Sequence, residues 1–154
     1  MFSDEKEADQ KPKKKKSREK WRQKLKKSVV LRQVAMPSTA EQSNPIKLIE
    51  QLKEFEAAIE SNKRNEIYAK CLIGRNLVLL QKKKKKGAQF INFVRKHMTS
   101  YSRSMIYFLM KLYNVTQDYN RLMYVTLGIG ELKTNFKLIE ELVAEEPVYW
   151  KNLA

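Results

Sequence analysis

The sequence predicts an all-α protein, a compact domain of about five or six helices behind a disordered basic tail. Two observations carry this. From Asn44 onward, apolar residues recur at spacings of three and four, and no segment alternates with period two over any length. The punctuation is also helical, with an Asn-Pro start at Asn44-Pro45 and a glycine after a long periodic run at Gly87. Two regions follow: residues 1–43, a basic, largely disordered tail with a docking segment, and residues 44–154, an all-helical domain.

Residues 1 to about 28 are low in complexity and highly charged, a composition that leaves a chain disordered in isolation. Within it Trp21 and Leu25 lie four apart, so a short helix can form on a partner. "VVLRQVAM", Val29 to Met36, is too apolar for a free linker and docks either on the domain or on a partner. "PSTAEQSNP" is a loop. The first domain helix then carries Ile46, Ile49, Leu52, Phe55 and Ile59 as one stripe. A second runs from about Glu66 to Lys86, where lysines suit the negative end of the helix dipole.

A third helix, about Ala88 to Met98, turns Phe90, Phe93 and Val94 inward and Arg95 and Lys96 outward. "TSYS" makes a turn in which Thr99 or Ser100 caps a fourth helix, Ser102 to about Asn114. Met105, Leu109 and Leu112 hold that helix to the core. "DYNRLMYVTLG" predicts a short fifth helix. "GELKTNFKLIEELVAEEP" predicts a sixth, with Leu132, Phe136, Ile139, Leu142 and Val143 inward and Pro147 as its stop.

Charge narrows the function. The net charge is +15, yet it sits in two places. Lys11 to Lys27 holds eleven Lys or Arg and one acid, Lys82 to Lys86 holds five lysines, and the rest of the chain balances. Charge so concentrated is the footprint of a polyanion partner; the structural reading is a solvated, solubilising run. "KPKKKKSREKWRQKLKK" also has the pattern of a nuclear-import signal, so a nuclear location is expected. No apolar run approaches the roughly 20 residues that span a bilayer. The tail offers only Trp21 and a few aliphatics to a membrane surface, so no membrane partner is expected.

Chemistry is scarce. Cys71 is the single cysteine and His97 the single histidine, too few for the usual zinc ligand set. Cys71 reads as a small core residue and His97 as a surface or turn residue. The four glycines are scattered, so no phosphate-cradling loop is present. The pairs Glu140-Glu141 and Glu145-Glu146 lie on the polar side of an amphipathic helix, the arrangement of a solvated surface. No Asp-Pro-Pro-aromatic motif of adenine-N6 methyltransferases occurs. The chain is expected not to be an enzyme and to hold no cofactor or metal.

Binding remains, and "FVRKHMTSYSRSMIYFLMKLYN" is where it concentrates. Two helices around a polar turn can present the start of the second to a DNA groove. That start comprises Ser100, Tyr101, Ser102, Arg103 and Ser104, and Arg103 can grip guanine with two hydrogen bonds. Lys111 lies two turns on. Lys82, Lys83, Lys84, Lys85, Lys86, Arg95 and Lys96 are the phosphate candidates. The bland reading is a capped helix hairpin inside an ordinary bundle.

From about Tyr68 to Glu146 the order of features resembles a bacterial and phage helix-turn-helix domain of unknown function. "IGRNLVLLQKKKKKGAQFINFV" and then "SYSRSMIYFLMKLY" are the matching pieces, of which Ser102, Arg103, Met110 and Leu112 fit best. Tyr107 and Phe108 stand where that family keeps polar residues. In size, Lys-rich tail and helical core, the whole chain resembles the small homeobox-like DNA-binding subunit of ciliate DNA adenine-N6 methyltransferase complexes. That resemblance implies a nuclear, non-catalytic subunit that delivers duplex DNA. The active and inactive methyltransferase-fold subunits, and a larger DNA-binding subunit, would be its partners. S-adenosylmethionine would bind in a partner subunit and not here. Tyr107, Phe108 and Met110 would then be left for a partner interface or for stacking. The competing expectation is a basic assembly protein that binds RNA or a ribonucleoprotein.

Overall fold

The computed structural model describes residues 17–30, 44–61, 66–84 and 88–151. The described chain is all-α. Helix α1 covers 17–28. It is followed by α2 (Pro45–Ser61), α3 (Glu66–Lys83), α4 (Ala88–His97) and α5 (Arg103–Asp118). A 3-10 turn, Asn120–Tyr124, leads to α6 (Ile129–Thr134), α7 (Phe136–Glu145) and α8 (Pro147–Lys151). Among the described residues the β-pairing is one isolated antiparallel bridge, Val29 with Val125.

Two antiparallel helices, α3 and α5, form the spine. Ile73, Leu77 and Leu80 of α3 join Ile106 and Leu109 of α5 in one core, which α2 and α4 cover. Ile67, Cys71 and Leu72 join Leu112 in a second core, covered by α1, the 3-10 turn and α6 to α8. The shared residues run in opposite directions along the two helices, which is why they pack antiparallel. Every residue of α3 from Ile67 to Leu77 is buried except Lys70, so this part of the helix has no solvent face to speak of, and only its last turn is exposed. Its polar side chains are accommodated locally. Asn76 donates to Leu48 O at 3.2 Å and Gln51 Oε1 at 2.9 Å, and accepts from Arg75.

The helix starts follow the sequence closely. Asn44 caps α2, its Oδ1 accepting from Lys47 N at 2.9 Å. Its stripe, however, begins one turn later than expected. Ile46 is 54% exposed, while Leu48, absent from the expected stripe, is fully buried. The first turn simply projects beyond the core. At α5 the cap is Ser102, whose side chain accepts from Met105 N at 3.1 Å, and not Thr99 or Ser100. The helix α3 ends at Lys83, and Lys85 to Gly87 lie outside the described residues.

Three expectations beyond α5 are corrected. The fifth helix is a 3-10 turn followed by extended residues, because Val125 and its neighbours pair with the chain leaving α1. Thr126 N donates to Ser28 O at 2.9 Å and Val30 N to Tyr124 O at 3.0 Å. That is also where the start of "VVLRQVAM" goes, while 31–43 lies outside the described residues. The sixth helix breaks at Asn135, where Asn135 Nδ2 and Thr134 Oγ1 hydrogen-bond back to the carbonyls of Glu131 and Gly130. Pro147 does not end the chain's helical course but opens α8, which buries Trp150.

The tail is the largest departure. Its second half, 17–28, belongs to the folded unit, with Leu25 at 0% exposure in the second core and Trp21 packed against it. The expected boundary at residue 44 is therefore displaced, since residues 17–28 already belong to the folded part. Masked by its charge, α1 has one apolar seam and one basic seam, and both find partners.

Candidate nucleic-acid interface

The basic seam of α1 faces acids of α6, α7 and the turn after α7. Arg18 pairs with Glu141 at 3.0 Å and also with Glu145. Arg22 pairs with Glu145, and Lys26 with Glu146 at 2.7 Å. Lys24 pairs with Glu131. Arg18, Arg22 and Lys26 recur every four residues, as do Glu141 and Glu145, so two helices in contact bring opposite charges into register. Four of the tail's cations are thus engaged within the molecule, which corrects the expectation of a wholly free polyanion footprint from Lys11 to Lys27. Lys20 and Lys27 stay exposed, and 11–16 lies outside the described residues.

This contact is sensitive to acid. The Arg22 and Arg18 guanidinium groups hold the Glu145 carboxyl below its ordinary value of 4.5. A carboxylate with a lowered pKa lends stability that is complete above its unfolded value and lost as pH falls through its folded value. We expect the amide signals of α1 to move toward unfolded positions below about pH 4.5, ahead of those of α2 to α5. Two-dimensional NMR across an acid titration measures this. Signals of α1 that persist until the whole domain unfolds would contradict it.

A second set of cations has no carboxylate partner among the described residues. Lys82 and Lys83 are exposed on the last turn of α3, and Arg95 and Lys96 are exposed on α4. Lys84 follows α3 directly and places Nζ over the Phe93 ring at 4.4 Å. Phe93 in turn meets His97 edge-on at 4.9 Å, so the end of α3 lies against the outer face of α4. His97 is accordingly a half-buried packing residue. Lys85 and Lys86 lie outside the described residues.

The start of α5 is presented to solvent. Ser100, Ser102, Arg103, Ser104 and Tyr107 are exposed. Arg103 lies over the Tyr107 ring at 5.8 Å. Lys133, which the sequence did not single out, reaches across from α6 and donates to Ser104 Oγ at 3.1 Å. Lys111 is exposed too, but it pairs with Glu140 at 2.9 Å, so its charge is partly neutralised. The turn before α5 is tied down from below. Tyr101 is buried and its hydroxyl donates to Glu56, which also pairs with Lys70 at 2.8 Å. Burial, with that carboxylate beside it, pushes the Tyr101 hydroxyl well above its ordinary range.

Of the three residues expected at a partner interface, one is available. Tyr107 is 38% exposed. Met110 is 7% exposed and belongs to the first core. Phe108 is half-buried, its ring meeting Phe136 edge-on at 5.1 Å. The physical reason is that α5 is flanked on two sides, by α3 and by α7, so more of its circumference is covered than a single stripe requires.

Elsewhere the structure is chemically quiet. Burial pushes the Cys71 thiol up to about 12, the condition of an inert core residue. Among the described residues no cluster of three or more His, Cys, Asp or Glu could hold a metal ion. No helix among them is long and apolar enough to cross a membrane. A cleft of about 380 Å³ opens beside the end of α5, lined by Tyr113, Thr116, Gln117, Asn120 and Met123. In comparisons with known proteins, no family model, no curated protein and no solved structure matches the chain.

Proposed function

We propose that the chain is a non-catalytic, nuclear DNA-binding subunit that delivers duplex DNA to a partner DNA N6-adenine methyltransferase. The active and inactive methyltransferase-fold subunits and a larger DNA-binding subunit are its expected companions, and S-adenosylmethionine binds in that partner. The assignment to such a complex rests on the resemblance in size, tail and helical core. The observation that carries the DNA-binding part is the contrast between the two cation sets. Carboxylates answer four cations on α1, whereas Lys82, Lys83, Lys84, Arg95 and Lys96 have no carboxylate partner among the described residues. Unbalanced cations near one helix end are what phosphate contacts need.

A salt titration of duplex binding tests this. Each phosphate neutralised adds about 0.9 to the slope of log affinity against log salt. Replacing Lys82 to Lys86 together by glutamine should flatten that slope by several units and weaken all duplex sequences alike. An unchanged slope would remove the carrying observation. Purification of the chain from its native source then tests the partner assignment, which fails if no methyltransferase-fold chain accompanies it.

A further inference from the structure

Tyr107 is the one aromatic among the exposed large apolar side chains of the described residues. It sits centrally on the outer face of α5, where the helix surface is otherwise polar: Arg103 and Ser104 a turn before, Lys111 and Asn114 after. Nothing in the packing requires an aromatic there, because Ile106, Leu109 and Leu112 already provide the buried face. Its surroundings are cationic from two directions. Arg103 lies over its ring at 5.8 Å, and Lys133, whose Nζ lies over the neighbouring Phe108 ring at 5.9 Å, reaches the same helix turn through Ser104 at 3.1 Å. Neither cation forms an ion pair among the described residues. On the neighbouring elements, Glu131 of α6 is engaged by Lys24 and Glu140 of α7 by Lys111.

An exposed ring flanked by unpaired cations suits one chemical class better than others. Inside a duplex the faces of the bases are hidden in the stack, so a phenol ring has no flat partner there. A groove-reading helix would place Arg, Lys, Asn or Gln at this central position, side chains that can make two hydrogen bonds to one base edge, which a single phenol hydroxyl does not match. An unpaired nucleotide offers both a flat face and a phosphate, and aromatic rings and guanidinium planes are the side chains that stack on such bases.

We propose that Arg103, Tyr107 and Lys133 form a docking face for an unpaired nucleotide, with Tyr107 stacking on the base and the two cations holding its phosphates. This deepens the DNA-binding reading: the cations around the end of α3 and on α4 grip duplex, and the start of α5 takes a strand or base that has left it. Sequence specificity is not part of the proposal, since every base has a face to stack.

The test uses the full chain with a short fluorescent thymidine oligonucleotide and a blunt duplex, each followed by anisotropy. Tyr107→Ala should weaken single-strand binding by about tenfold, within the range that loss of one base–aromatic stack causes. It should leave duplex affinity unchanged, and it should leave the single-strand salt slope unchanged because no charge is removed. Tyr107→Phe should keep parental affinity. Arg103→Gln should lower the single-strand slope by about 0.7. Equal losses on both nucleic acids, no loss on either, or lost partner assembly with intact single-strand binding would each overturn the proposal. A parent chain that binds the oligonucleotide but not the duplex would defeat the delivery of duplex DNA and leave this inference standing.

Discussion

Gly74→Ala is expected to destabilise the protein by about 3 kcal/mol or more, although alanine is the better helix former. A Cβ at Gly74 would lie 2.1 Å from Leu109 O, 2.9 Å from its carbonyl carbon and 3.0 Å from Tyr113 Cβ. The obstacle is backbone, so no rotamer change relieves it. The two spine helices must separate, and both cores depend on their contact. Helix propensity favours alanine by roughly 0.5–1 kcal/mol, whereas overpacking of a well-packed core costs typically about 1–3 kcal/mol and occasionally more. A clash this deep against a carbonyl belongs at the upper end. Urea unfolding followed by circular dichroism should show a lowered midpoint with an unchanged slope. A variant as stable as the parent would mean that α3 and α5 do not meet this closely.

Gly74 also shows how sequence and structure divide the information. Its position within a periodic run, without a turn signal, announces a helix and gives no hint of a close crossing. The same division holds for α2 to α5. Periodicity places the helices, and Asn44 announces its cap. What periodicity cannot supply is the number of neighbours a helix will have. With one neighbour, Phe108 and Met110 would stand on the flanks of α5; with α3 and α7 on either side they are packed. The candidate site is legible to the same degree. Arg103, Ser102 and the α3 lysines stand where their spacing puts them, on exposed turns. Lys133 was not legible, because it reaches Ser104 from 29 residues away.

The helix α1 was hidden for a related reason. Composition judges a segment by what it can bury alone, and two apolar residues among eleven cations cannot order a chain. Its partners lie far off in sequence, with Arg18 and Glu141 separated by 123 residues. Glu141, Glu145 and Glu146 looked like a solvated surface because the helix they face, α1, had no apolar signal strong enough to register. Two polar faces, each ordinary alone, became a contact once Leu25 gave them a common anchor.

That anchor leads to the second large effect. Leu25→Ala is expected to cost about 2–4 kcal/mol, the usual range for removing a fully buried leucine side chain, and the loss should fall mainly on α1. Leu25 is the one residue of α1 with no exposed surface. The ion pairs around it are partly exposed, and such pairs contribute roughly 0–1 kcal/mol each, less as salt rises. They align α1 but cannot hold it once the leucine is gone. Limited trypsin digestion should therefore cut the variant rapidly between Arg18 and Lys27 while the α2 to α8 unit survives. Replacing Arg18 and Arg22 by glutamine, which leaves Leu25 in place, should have a smaller effect. Release would also return Arg18, Arg22, Lys24 and Lys26 to solvent, so the duplex-binding salt slope of Leu25→Ala should become steeper by about 0.9 for each that finds a phosphate. A digestion pattern identical to the parent's would show that the charges, and not Leu25, keep α1 in place. Global unfolding would instead show that α1 is integral to the second core, because Leu25 shares that core with Leu72, Leu112 and Trp150.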